Sequence, residues 1–181
     1  MLGDRAQLAS LDDAGIDADL PETGGTYAAN AQQKAEAAST LTRMPALADD
    51  SGIEVLALDG WPGPQSARWL GPDATDRDRL YALLDEVQRQ SPHDRRVRYV
   101  AVVALARPGQ PTTTATGECD GVLVEPRGKA GFGYDPSFLS DDLGITFGEA
   151  SDADKDRVSH RARAVLALLA GGAMSQGPHP S

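Results

Sequence analysis

Two long β-rich runs, Val97 to Ala106 and Thr112 to Val124, are joined by the turn-forming segment Arg107-Pro108-Gly109-Gln110-Pro111. So short a connection permits only antiparallel pairing, because parallel strands need a crossover of a dozen or more residues. The pair therefore reads as a hairpin, with Gly117 and Gly121 marking a bend or bulge in its second strand. Helical patterns lie on either side of it along the chain. Thr26 to Arg43 is alanine-rich, opens on a Thr cap and is stopped by Pro45. Thr75 to Gln90 carries Leu80, Leu83, Leu84 and Val87 at helical spacing, and Asp152 to Leu169 does the same with Val158, Ala162, Val165, Leu166 and Leu169.

A chain of 181 residues supports one domain with a good core. Its apolar runs stay well short of a membrane span, and no charged-then-apolar leader is visible, so a cytoplasmic protein is expected. Cys119 is the only cysteine, which reads as structural rather than as a disulfide or zinc ligand. The net charge of -10 opposes binding to a nucleic-acid polymer, whose affinity is built from cationic contacts to phosphates. Small anionic ligands then need a local cationic pocket. Of the 17 basic residues only Lys34, Lys129 and Lys155 are lysines, and a compact ammonium is a good point-charge partner for phosphate.

Met44-Pro45-Ala46-Leu47 followed by Ala48-Asp49-Asp50-Ser51-Gly52 reads as a strand delivering two carboxylates at its end, with Ile53 to Leu58 as a second strand and Gly60 to Pro64 as a rigid loop. Two ionised Asp inside a buried strand would cost several kcal/mol unless paired, which favours the strand's edge. Taken alone, the same residues also make an Asx-turn. Three further polar groups stand out: Pro21 to Thr26 in a Gly-rich turn before a helix, Gly128 to Pro136, and Lys155 with Ser159-His160-Arg161. The glycines of the second allow close backbone approach, while Phe132 and Tyr134 offer flat faces for a base. It is not a phosphate loop of the Walker type, because no Ser or Thr follows the lysine. Asn30 and Lys34, four residues apart, share one face of the first helix. Asp152, Asp154 and Asp156 mimic the start of a calcium loop, but Arg157 and Arg163 occupy positions that such a loop cannot give up.

Six segments in order carry a family resemblance: Glu22 to Tyr27, Asn30-Ala31 with Lys34-Ala35, Ala48 to Gly52, Pro62-Gly63 with Ser66-Ala67-Arg68, Gly131 to Pro136, and Lys155 with Ser159-His160-Arg161. The series resembles the inosine/xanthosine triphosphate pyrophosphatases, over about Leu11 to Leu169. These enzymes hydrolyse ITP, dITP and XTP to the monophosphate and pyrophosphate. The resemblance implies an α/β fold with an elongated mixed sheet flanked by helices, two lobes and a central cleft. It further implies one catalytic domain at 1–170, Mg²⁺ as cofactor, a purine nucleoside triphosphate as small-molecule partner, and a homodimer, while 171–181 reads from its own residues as a disordered tail. Mapped residue by residue, it makes Asp50 the base that directs a Mg²⁺-bound water at the α-phosphorus, with Glu22, Asp49 and Asp50 holding the metal. Lys34 would contact the triphosphate and Ser51 would hydrogen-bond the substrate. Phe132, Gly133, Tyr134 and Asp135 would form the nucleoside pocket, completed by Lys155, His160 and Arg161. Those last three are donors, which suit a 6-oxo purine and reject adenine's 6-amino group.

Two departures from the family pattern shape the expectation. Ala29 stands where the family has Glu before the helical Asn. Members also begin with an apolar strand, a Ser/Thr-x-Asn-x-x-Lys loop and a first helix, whereas Met1-Leu2-Gly3-Asp4 resembles the end of that helix. Either Met1 is an internal residue of a longer protein, or the chain is truncated and its hydrolysis strongly reduced, in the limit a non-catalytic nucleotide-binding protein. Hydrolysis of modified pyrimidine triphosphates is a third reading.

Overall fold

The computed structural model describes residues 8–18 and 20–171; the Met1-Leu2-Gly3-Asp4 segment and the expected tail beyond Gly171 lie outside the described residues. Among the described residues four α-helices and four strands follow one another: α1 (Tyr27–Thr42), β1 (Ala46–Val55), α2 (Asp76–Gln90), β2 (Arg96–Ala106), β3 (Thr113–Leu123), β4 (Phe138–Ser140), α3 (Asp152–Val158) and α4 (His160–Ala170). The strands form one sheet in the order β1-β2-β3-β4, and β3 pairs antiparallel with β4. The expected hairpin is β2 and β3.

Helix boundaries follow from their caps. Thr26 accepts from the Ala29 N–H at the start of α1, and Arg43 ends it in the left-handed conformation. Thr75 and Asp78 form a reciprocal capping box at α2. Ala31, Ala35 and Ala38 line the buried face of α1, so a helix of small side chains can pack closely.

Three expectations are corrected. β1 runs from Ala46 through the Asp pair to Val55, so Asp49 and Asp50 lie inside a strand, and Ile53 to Leu58 is not a second one. A strand can pass through this pair because both carboxylates have donors, described below. The terminal helix is two helices, interrupted where Ser159 turns extended, with ψ 153°. Gly121 marks no bulge: it faces Ser140 of β4 in register, and a Cβ there would lie 2.4 Å from the Leu139 carbonyl oxygen. The close approach of a third strand requires glycine.

The chain divides into two compact units. Among the described residues, the first comprises 8–18, 20–50, Ala101–Gly117 and 161–171. Its apolar centre joins Ala101, Val103 and Leu105 of β2 to Ala164 and Leu168 of α4. The second comprises Ser51–Val100 and Glu118–His160. Its larger core gathers Ile53, Val55, the four apolar positions of α2, Val97, Tyr99, Cys119, Phe138 and Phe147. Each such Val, Leu or Phe contributes roughly 1.5–3 kcal/mol on burial. Cys119 is buried within this core. Among the described residues no helix is long and apolar enough to cross a membrane.

Candidate active site

In the first unit, α1, β1 and the turn before α1 bring Asn30, Lys34, Asp50 and Glu22 together. Asp50 is only 7% exposed. Asn30 Nδ2 donates to Asp50 Oδ2 at 3.0 Å, and Lys34 Nζ lies 3.5 Å from Asp50 Oδ1. The same ammonium donates to Glu22 Oε1 at 2.6 Å, so two carboxylates share one cation. The spacing of Asn30 and Lys34 puts both on the helix face turned to β1, as the sequence predicts. Gly24 completes the approach, since a Cβ there would meet Ala29 Cβ at 2.6 Å and Asn30 Oδ1 at 2.9 Å.

Asp49 does not join this group. Successive strand residues point to opposite faces, and Asp49 Oδ2 instead accepts from Arg161 Nε at 2.9 Å. The expected set of Glu22, Asp49 and Asp50 around one metal is therefore not assembled. Among the described residues no three His, Cys, Asp or Glu side chains form a metal-holding group.

In the second unit, the loop at 131–135 is built around Asp135, which is 2% exposed. Its Oδ2 accepts from the Phe132 N–H at 2.8 Å and from Lys155 Nζ, and its Oδ1 accepts from the Tyr99 hydroxyl at 3.2 Å. Gly131 is glycine of necessity: its φ is 73°, and a Cβ would lie 2.1 Å from Asp135 Oδ2. Phe132 is 59% exposed, and the Lys155 ammonium sits 4.8 Å from its ring centre. The Gly133 N–H donates to Asp76 Oδ2 at 3.0 Å. Arg79, then that N–H, hold the Asp76 carboxyl below its usual range against partial burial.

Tyr134 corrects the expectation of a second stacking face. Its ring belongs to the core, and its hydroxyl donates to the Ser66 carbonyl at 2.7 Å while accepting from Trp69 Nε1 at 2.8 Å. Burial pushes its phenol above the usual tyrosine value, partly offset by the Trp69 N–H. His160 is also buried, stacked on Tyr99 with ring centres 4.6 Å apart and planes 14° from parallel. Ser51, next to Asp50 in β1, is half-buried. Lys129 is exposed and adds nothing to either cluster.

Sequence reasoning missed Tyr99 and Asp76 as partners of this loop. Tyr99 opens the long apolar run of β2, where its hydroxyl carries no signal. Asp76 looks like one more acid in a helix's first turn.

Fold and donor set first define a class: an α/β protein whose strand and loop carboxylates are held in place by lysine, arginine and amide donors. The chain belongs to the Ham1 family, whose model matches residues 1–171. Among curated relatives, a dITP/XTP pyrophosphatase of Deinococcus radiodurans is 50% identical over 153 residues, covering 83% of this chain and 75% of that protein. One from Geobacillus kaustophilus is 44% identical over 151 residues, covering 83% and 74%. Among solved structures, the Staphylococcus aureus Ham1 protein superimposes with a TM-score of 0.80 at 36% identity, covering 88% of this chain and 83% of that one.

Proposed function

We propose that this chain hydrolyses dITP, ITP and XTP to the nucleoside monophosphate and pyrophosphate. The observation that carries the reading is the buried Asp50 carboxylate, fixed by Asn30 and sharing Lys34 with Glu22. The relatives' name, dITP/XTP pyrophosphatase, supplies the substrate class.

Asn30 prevents Asp50 from rotating, so one oxygen is held while the other is aimed at Lys34. Asp50 takes a proton from a water whose oxygen attacks the α-phosphorus, and the bond to the departing pyrophosphate breaks. Lys34 transfers its contacts to triphosphate oxygens and neutralises their charge. Glu22 and Asp50 suit Mg²⁺, which binds through one or two carboxylates plus substrate phosphates rather than in an all-protein cage. The buried, unpartnered Oδ1 of Asn30 adds another hard oxygen to this group. Bound there, Mg²⁺ would supply charge neutralisation and a more acidic water. Asp49 orients Arg161 instead of holding metal.

The exposed Phe132 ring is the stacking surface for the base. Lys155 carries three donors, of which Asp135 takes one, and a 6-oxo group can accept another. Asp135 and His160 shape the same recognition, while Tyr134 acts by anchoring the loop; Arg161, held by Asp49, is a further donor for the substrate. Ser51 donates to the substrate, and a homodimer belongs to the same proposal.

Hydrolysis of dITP with Mg²⁺ in ¹⁸O-labelled water tests the reaction. The expected result is label in the monophosphate with pyrophosphate as co-product, slow turnover of dATP, and little with pyrimidine triphosphates. Release of orthophosphate, or label in the pyrophosphate, overturns it. Light scattering measures the dimer.

A further inference from the structure

We infer that Asp76, at the start of α2, is a positioning residue that sets the loop at 131–135 and through it the Phe132 surface for the purine base. The inference rests on the reading of that loop as the nucleoside pocket. Gly131 and Gly133 both have positive φ, 73° and 58°. A segment with two such glycines has many conformations available and needs external restraint. Two carboxylates supply it: Asp135 accepts from the Phe132 N–H at 2.8 Å, and Asp76 accepts from the Gly133 N–H at 3.0 Å. Consecutive amides are thus bound to different anions, and the exposed Phe132 ring projects from between them.

Asp76 is itself fixed. Its Oδ1 accepts from Arg79 Nη2 at 2.8 Å, and Arg79 also donates to the Ala74 carbonyl. Hydrogen bonds to ionised acceptors are about twice as strong as neutral ones, a strength that solvent reduces here because the Asp76 side chain is 55% exposed. Its neighbour Asp78 has a different task. Asp78 accepts from the Thr75 N–H and hydroxyl and closes the capping box at the start of the helix. One helical turn therefore carries a carboxylate that stabilises the helix and another that restrains the loop.

The two roles are separable by experiment on the full chain. Asp76→Ala should raise KM for dITP about tenfold, with kcat moved far less, and should speed amide exchange at Gly133, since a charge-assisted bond is lost. Asp76→Asn, which keeps an acceptor oxygen, should restore both. Asp78→Ala should lower Tm while leaving KM and Gly133 exchange near wild type. The inference is overturned if Asp76→Ala leaves KM and exchange unchanged, if Asp76→Asn restores neither, or if Asp78→Ala moves them as far as Asp76→Ala does. Failure of the wild-type chain to hydrolyse dITP would sink the proposed function instead, while the exchange comparison would still decide the restraint by Asp76.

Discussion

Asn30 Nδ2 and Asp50 Oδ2 are joined by a buried hydrogen bond of 3.0 Å, one turn of α1 away from the lysine that faces the carboxylate's other oxygen. One face of a helix thus holds both oxygens of a carboxylate carried by a strand. Asp50 can lie inside β1 because it is never an orphaned charge.

Removing the amide should expose its contribution. Asn30→Ala leaves a buried carboxylate short of a donor, which costs about 1–3 kcal/mol and should lower kcat about tenfold. Asn30→Asp sets a second carboxylate beside the first and should move the acid limb of the pH–rate profile upward, because like charges disfavour joint ionisation. A profile that stays in place would remove Asn30 from the account. Urea denaturation and steady-state kinetics measure both.

The pair of Lys155 and Asp135 is also shielded from solvent, with side-chain exposures of 16% and 3%. Lys155→Met should destabilise the fold by about 3 kcal/mol, because a buried carboxylate then loses its cation. Tyr99 and the Phe132 N–H remain as donors and keep the loss near the low end. Denaturant midpoints read the change.

Two glycine substitutions contrast space with its absence. Gly131→Ala drives a Cβ to 2.1 Å from Asp135 Oδ2 at a φ of 73°, whereas Gly25→Ala meets nothing within 4 Å. The first should cost at least about 2 kcal/mol and the second less than about 0.5 kcal/mol. Equal Tm values for the two would contradict the geometry of the loop.

Acid should loosen the fold in a defined window. Arg79 lowers Asp76 from 3.8, the Thr146 N–H and hydroxyl lower Glu149 from 4.5, and Arg96 lowers Asp94 to about 2. Each carboxyl is more acidic folded than unfolded, so the unfolded chain binds more protons in the interval and stability rises with pH there. The contribution is fully present above about pH 4.5 and is lost as pH falls through the lowered values, Asp94 last. Thermal melts between pH 6 and 2 should show Tm falling throughout the lower half; a rise would contradict the assignment.

Much of this was legible from residue patterns because the signals were local. Thr26 announced its helix through a side chain that bonds within one turn, and Leu80, Leu83, Leu84 and Val87 announced α2 by their spacing. Asn30 and Lys34 declared a shared face by spacing alone. What escaped was non-local. Whether β1 stops at Asp50 depends on Asn30 and Lys34, brought from another element. The break at Ser159 is one backbone torsion inside an otherwise continuous apolar pattern. Tyr134 resembled a stacking surface until Ser66 and Trp69 took its hydroxyl. Alternation along a strand, which parts Asp49 from Asp50, was the one rule that could have been applied from the sequence.

The most direct test of the central claim is dITP hydrolysis by Asp50→Asn, measured as pyrophosphate release under saturating substrate and Mg²⁺. Asn keeps the shape and can still bond to Asn30, but it cannot accept a proton from water. The account predicts a fall in kcat of about 10²–10⁴ with the fold intact. Pyrophosphate release at the wild-type rate would contradict it.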